Sequence, residues 1–320
     1  MQNKKTIMSV SALLILIFHL WIHVTNLQIE IYLRQLCVIG VDLFFFVSAY
    51  SIAKKEKIEY KSFIISRFNK VYLKFILFSV IGALYFGWDI VKFIKIIFGI
   101  ELIEKGGGSF LWFLPGIMLV YLILPLYKKI DSKYPKVTPF VTILLHLFLS
   151  IMISTLTTDQ NLFILTNRIP MILLGYYFAK YDIFKVLNDN KVGYWITTII
   201  TFIIGVIISY LVYVNHFKVS WYKDLFYILY IPLSIGLILL LDKIRTNRLS
   251  AFIGSITLEL YALQMIFGFR LANEIFQYTN TKLLSNILVV VVLVIMSIII
   301  QRIFNLKDKL KLNGNKESEY

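Results

Sequence analysis

The residues able to do chemistry are few, and they stand in strongly apolar surroundings. His19 and His23 lie in Leu13–His23 (LLILIFHLWIH) at a spacing of i,i+4, on one face of a helix. A neutral imidazole there can take the proton of an attacking hydroxyl or carry an acyl group transiently. Asp42 sits in Gly40–Tyr50 (GVDLFFFVSAY) and Glu259 in Ile253–Gln264 (IGSITLELYALQ). Either carboxylate, within reach of His19, would orient its ring and stabilise its cation. Arg168, in Asn167–Tyr177 (NRIPMILLGYY), carries the charge to stabilise an oxyanion or hold an acceptor. Arg67 and Lys70, three apart at the end of a basic loop, suit the phosphates of a nucleotide-like donor. Trp112 opens a further apolar stretch and is a candidate for substrate contact.

Each residue also has a purely structural explanation. His19 is equally consistent with a hydrogen bond to a neighbouring helix, and Asp42, two residues after Gly40, with helix packing. His23 lies beside Trp21 and reads as an interfacial anchor, and Trp112-Phe113 as part of an aromatic belt. His146 stands among leucines without a motif. The His19/His23 pair lacks the Glu of HExxH and a third ligand, so no metal is expected. Gly106–Gly108 lacks the P-loop pattern.

The elements that must position these groups are membrane helices. Of 320 residues, 59% are hydrophobic and 16% charged, with mean hydropathy +0.78. A soluble domain carries roughly 25% charge. The composition excludes a soluble enzyme, a disordered chain and, with Cys37 alone, a disulfide scaffold. About ten stretches are long enough to cross a bilayer core of ~30 Å. They fall near 7–26, 34–53, 71–90, 109–127, 137–156, 161–179, 193–213, 223–241, 250–269 and 284–304. Val91–Ile100 is too short and reads as interfacial or re-entrant. The expected fold is therefore all-α: a polytopic helical bundle over 1–306, followed by a polar tail over 307–320.

The net charge of +15 follows from the same topology. With a cytoplasmic N-terminus, each internal loop, such as Lys54–Lys70, carries more Lys and Arg than its external neighbours. Both termini are then cytoplasmic, anionic lipid headgroups are the partners of the charge, and no nucleic-acid motif is present. At helical rise His19 lies ~18 Å and Glu259 ~14 Å from the cytoplasmic start of their spans, and Asp42 ~12 Å from the other surface. These depths suggest a polar cavity opening outward, with Arg168 a little further out.

Several of these segments together resemble the acyltransferase-3 family of multi-pass membrane acyltransferases. Met8–His19 (MSVSALLILIFH) followed by GVDLFFFVSAY is similar to the family's opening. Phe63–Tyr72 (FIISRFNKVY), Leu111–Tyr127 (LWFLPGIMLVYLILPLY), NRIPMILLGYY and IGSITLELYALQ resemble its later segments, in the same order. Two positions depart from the pattern. The Arg that precedes the family's first-span His by eleven positions falls on Met8, and a His common after its Glu-Tyr segment falls on Gln264. Lys4 and Lys5 are the nearby candidates to replace the missing cation.

The resemblance implies transfer of an acyl group, usually acetyl, from a cytoplasmic acyl-CoA donor. The acceptor would be a hydroxyl of an exported or cell-envelope glycan or a lipid-linked sugar. It implies a cell-membrane location, acetyl-CoA as co-substrate and no tightly bound cofactor. His19 would be the base, Glu259 or Asp42 its orienting carboxylate, and Arg168 and Trp112 the acceptor site. Arg67 and Lys70 would be the donor site. The competing expectations are an exporter of a glycan intermediate or small solute, and a non-catalytic partner of an envelope-assembly complex. Against export, no matched pair of Gly/Pro-broken helices stands out in the sequence.

Overall fold

The computed structural model describes residues 1–19, 28–104, 111–156, 160–216 and 226–317. Among them every regular element is helical. The first part of the chain forms α1 (Lys4–His19), α2 (Gln28–Leu36), α3 (Gly40–Ala53), α4 (Tyr60–Arg67), α5 (Leu73–Phe86) and α6 (Ile90–Ile97). The middle forms α7 (Phe113–Lys133), α8 (Val137–Leu156), α9 (Gln160–Thr166), α10 (Ile169–Lys180), α11 (Ile183–Asp189) and α12 (Lys191–His216). The last part forms α13 (Phe226–Leu229), α14 (Ile231–Lys243), α15 (Arg248–Ile253), α16 (Thr257–Leu263), α17 (Phe269–Thr279) and α18 (Lys282–Glu317).

Six described runs are long and apolar enough to cross a membrane: Tyr32–Ala53, Tyr60–Phe86, Phe113–Lys133, Asn161–Lys180, Lys191–Val214 and Lys282–Phe304. Their outward faces expose Ile and Leu side chains, as at Ile199, Ile203 and Ile299, which is the surface a bilayer covers. Expected spans depart from single straight helices where the sequence interrupts them. The 250–269 segment divides into α15 and α16, separated by a turn at Gly254. A Cβ there would lie 2.8 Å from the Lys5 carbonyl of α1, so the turn is packed against the first helix. The 161–179 segment breaks between α9 and α10, and the 223–241 segment between α13 and α14. Each break falls just before a proline, Pro170 or Pro232, placed in the first turn of the new helix. This Pro-broken pair is the feature the sequence did not make obvious. The 91–100 segment falls mostly in the short α6 (Ile90–Ile97), capped by Asp89, whose Oδ1 accepts from the Lys92 N–H at 2.7 Å. The polar tail begins as a continuation of α18, which runs to Glu317.

Helix α3 is the axis of the bundle. Almost all its side chains are buried, including Leu43, Phe45 and Phe46, so it is apolar all round. It reaches that position through glycines. A Cβ on Gly40 would meet the Ser11 carbonyl of α1 at 2.8 Å, and Ser11 Oγ donates to the Gly40 carbonyl at 2.6 Å. A Cβ on Gly175 of α10 would lie 2.3 Å from the Phe46 carbonyl. Helices α12 and α14 use the same device reciprocally, Gly205 against Leu233 and Gly236 against Phe202. The start of α1 is fixed by Asp242 of α14, whose Oδ1 accepts from the Gln2 N–H at 2.7 Å. These contacts set the depth of His19, at the end of α1, relative to Asp42 near the start of α3.

Candidate active site

His19 is the last residue of α1 and lines a cavity of about 130 Å³. Its Nδ1 lies 2.9 Å from the Ile15 carbonyl oxygen. A carbonyl only accepts, so Nδ1 holds the proton and Nε2 keeps the lone pair. The Ile15 carbonyl also accepts from Gln264 Nε2 at 3.3 Å. Gln264 is the first residue of a π-turn, Gln264–Gly268, which ends α16; such turns recur at functional sites. On the other side of His19, Arg34 Nε donates to the Phe18 carbonyl at 2.7 Å and satisfies an open carbonyl at the end of α1. The His19 ring is thus held by the α1 backbone, and that last turn of α1 is held by Arg34 of α2 and by Gln264 of the π-turn.

The cavity brings Trp112, Arg168, Tyr261 and Cys37 together with His19. Trp112 immediately precedes α7, and Arg168 occupies the break between α9 and α10. Arg168 Nη1 lies 2.6 Å from Asp42 Oδ2, with both side chains at most 2% exposed. Ser234, just after the α13–α14 break, approaches the same carboxylate oxygen at 3.5 Å. Both Pro-broken helices therefore turn a polar group toward Asp42. The carboxylate addresses Arg168, and Arg168 in turn lines the cavity.

Glu259 is placed differently. It is buried on α16 and forms an ion pair with Lys74 of α5, whose ammonium also lies 5.4 Å from the centre of the Phe304 ring. It does not line the His19 cavity, and the position expected of an orienting carboxylate at Nδ1 is taken by the Ile15 carbonyl. Lys74 had no assigned role from sequence, because its partner lies on a distant helix. Tyr261 was likewise unassigned, and Gln264 was noted only as the position where a His common in the family is absent.

Arg67 and Lys70 lie elsewhere in the bundle and are separated by local geometry. A π-turn, Phe68–Tyr72, begins after Arg67 and alters the three-residue spacing that would align them. The Arg67 guanidinium lies 5.1 Å from the ring centres of Phe63 and Tyr121, and its Nε is buried without a hydrogen-bond partner. Lys70 is exposed. Lys55 shares the Phe63 ring with Arg67, its ammonium 4.9 Å from the ring centre. Lys4 lies 5.3 Å from the Tyr50 ring, near the opposite end of α1 from His19. It therefore does not bring a cation to the cavity; Arg34 and Arg168 stand closer.

His146 is buried on α8, with neither ring nitrogen hydrogen-bonded. His23 and Gly106–Gly108 lie outside the described residues. Among the described residues, no three His, Cys, Asp or Glu side chains are grouped to hold a metal.

No curated protein and no solved structure matches the chain. The acyltransferase-3 family model, described as an acyltransferase domain, matches residues 9–302. The match runs from within α1 into α18 and includes every cavity residue named above. The chain is a membrane protein belonging to the acyltransferase-3 family.

Proposed function

We propose that this protein moves an acyl group, acetyl in the first instance, from a cytoplasmic acyl-CoA to a hydroxyl of a cell-envelope or exported glycan. The observation that carries this reading is the fixed tautomer of His19, with Nδ1–H on the Ile15 carbonyl, in a cavity shared with Arg168, Trp112 and Tyr261. The lone pair of Nε2 takes the proton of the glycan hydroxyl as its oxygen attacks the thioester carbonyl. Arg168 stabilises the oxyanion that forms. Collapse breaks the carbon–sulfur bond, and the imidazolium returns the proton to the departing thiolate, giving ester and free CoA. Trp112 offers a flat face to the acceptor sugar. The donor's phosphates are held away from the cavity, by Arg67 and Lys55 on the shared Phe63 ring, with Lys70 displaced from them by the π-turn. About ten spans with both termini in the cytoplasm, in the cell membrane, give this arrangement its direction.

Two measurements test the reading. Deleting the gene removes base-labile acyl ester from envelope glycan, and the wild-type chain restores it; unchanged ester content would end the proposal. Arg67→Ala raises the donor KM roughly tenfold or more while kcat changes little, as expected for loss of a charge-assisted phosphate contact. An unaltered donor dependence would remove Arg67 from the donor site. Export is favoured by one observation, the pair of Pro-broken helices meeting at Asp42. Glycan flux without new ester would decide for it.

A further inference from the structure

The stretch from Tyr127 to Thr142 ends α7, turns and begins α8, and it carries a groove that acyl transfer does not use. The groove encloses about 320 Å³ between Tyr127, Ile130 and Tyr134 on one side and Val137, Val141 and Thr142 on the other. That volume falls among sites that hold a small molecule, roughly 300–1,000 Å³. Its lining is apolar for a local reason. Thr138 Oγ1 donates to the Tyr134 carbonyl at 2.8 Å and Thr142 Oγ1 to the Thr138 carbonyl at 2.7 Å. Both hydroxyls are thereby used on their own helix. The rim opens outward, since Ile130, Tyr134, Val137 and Val141 are each about half-exposed.

The inner wall is fixed by α10. The Tyr127 and Tyr177 hydroxyls are hydrogen-bonded at 2.7 Å, and the Tyr127 ring meets the Tyr176 ring edge-on at 5.1 Å. Tyr176 and Tyr177 donate to the Asp131 carboxylate at 2.7 and 3.3 Å, and Lys180 donates to it at 2.5 Å. Asp131 is fully buried and is the one acid between Tyr127 and Thr142. The exposed charge of the stretch is therefore that of Lys129, Lys133 and Lys136. Lys128 is engaged elsewhere, donating to the Ala53 and Lys55 carbonyls. Lys133 stands at the groove itself, its ammonium 5.2 Å from the centre of the Tyr134 ring. The membrane-crossing run Phe113–Lys133 ends at these lysines, which places them at headgroup level with the groove beneath.

We propose that this groove binds one anionic glycerophospholipid, its acyl chain between α7 and α8 and its phosphate among Lys129, Lys133 and Lys136. The site stands independently of the acyl-transfer reading. From Tyr134 to Tyr127 the α7 wall covers ~10 Å of chain at helical rise. Charge selects the occupant. A zwitterionic lipid would bring its own ammonium against the lysines. A second copy of this chain, packed by two-fold symmetry, would set the same three lysines against their twins. An anionic headgroup answers them, with each lysine near the membrane surface contributing about 1 kcal/mol.

The full chain is reconstituted in phosphatidylcholine nanodiscs with a small fraction of phosphatidylglycerol bearing a diazirine on its acyl chain. After illumination, cross-linked residues are mapped by mass spectrometry. Labelling falls within 127–142 of the wild type and is competed by unlabelled phosphatidylglycerol, not by phosphatidylcholine. Lys133→Gln weakens the competition about fivefold, and the Lys129→Gln, Lys133→Gln, Lys136→Gln triple variant on the order of a hundredfold. Val141→Trp fills the groove from α8 and removes the label while the lysines stay. Ile130→Trp fills it from α7 and serves where Val141→Trp does not fold. Equal competition by phosphatidylcholine, or no label within 127–142, overturns the site. Labelling that the lysine variants weaken and both filled variants leave unchanged reduces it to surface attraction and overturns the groove. A cross-link between two copies of the chain through this stretch gives the groove to a second copy and overturns the lipid.

Discussion

His19→Gln abolishes measurable ester formation while the protein accumulates and folds as the wild type does. A general base contributes about 10²–10⁴ in rate, and kcat should fall by that range with KM for either substrate nearly unchanged. The choice of Gln separates chemistry from structure. The ring makes one identified hydrogen bond, from Nδ1 to the Ile15 carbonyl, and the Gln amide can donate to the same oxygen. It has no nitrogen lone pair with which to take a proton. Loss of kcat at normal thermal stability is the outcome for a base. Normal turnover at normal protein level would make His19 a packing residue. His19→Ala, which also removes the hydrogen bond, should add a stability loss of about 1 kcal/mol without lowering turnover further.

The sequence was most informative where membrane physics leaves little choice. A polar residue in an apolar span is costly, so His19, Asp42, Arg168 and Glu259 could be picked out one by one. What could not be read was their pairing. Asp42 and Glu259 are both carboxylates in apolar spans, yet one faces Arg168 and the other Lys74. That choice depends on which helices adjoin, and adjacency is set by glycine contacts such as Gly175 on Phe46 and Gly40 on Ser11. Single glycines in apolar spans look alike in sequence. The orienting group of His19 escaped for another reason: it is a backbone carbonyl, Ile15, which no side-chain motif can announce. Hydropathy located most apolar spans but ran across the prolines that break two of them, because a window average does not register one residue. The π-turn at Phe68–Tyr72 is likewise invisible to a count of three residues, and it divides Arg67 from Lys70.

The pairing of Asp42 with Arg168 yields the largest expected change in stability. Both side chains are at most 2% exposed. Removing one partner leaves a buried charge without its counter-ion, which costs about 3–5 kcal/mol. Asp42→Leu and Arg168→Met should each lower thermal stability in detergent sharply. The double variant should regain most of that loss, because two apolar side chains of similar volume carry no desolvation penalty. Activity should behave differently. If Arg168 acts on the reacting oxyanion, the double variant is folded and inactive, a separation that a merely structural pair would not give. A double variant that regains both stability and turnover would confine the pair to folding and leave the cavity's positive charge to Arg34. A double variant as unstable as either single one would mean the pair's worth lies in its hydrogen bonds, including the approach of Ser234. The pair joins the α9–α10 break to α3, while Ser234 brings in the α13–α14 break. Its loss should therefore loosen both Pro-broken helices together. Arg34→Met, which releases the Phe18 carbonyl at the end of α1, should leave those helices in place.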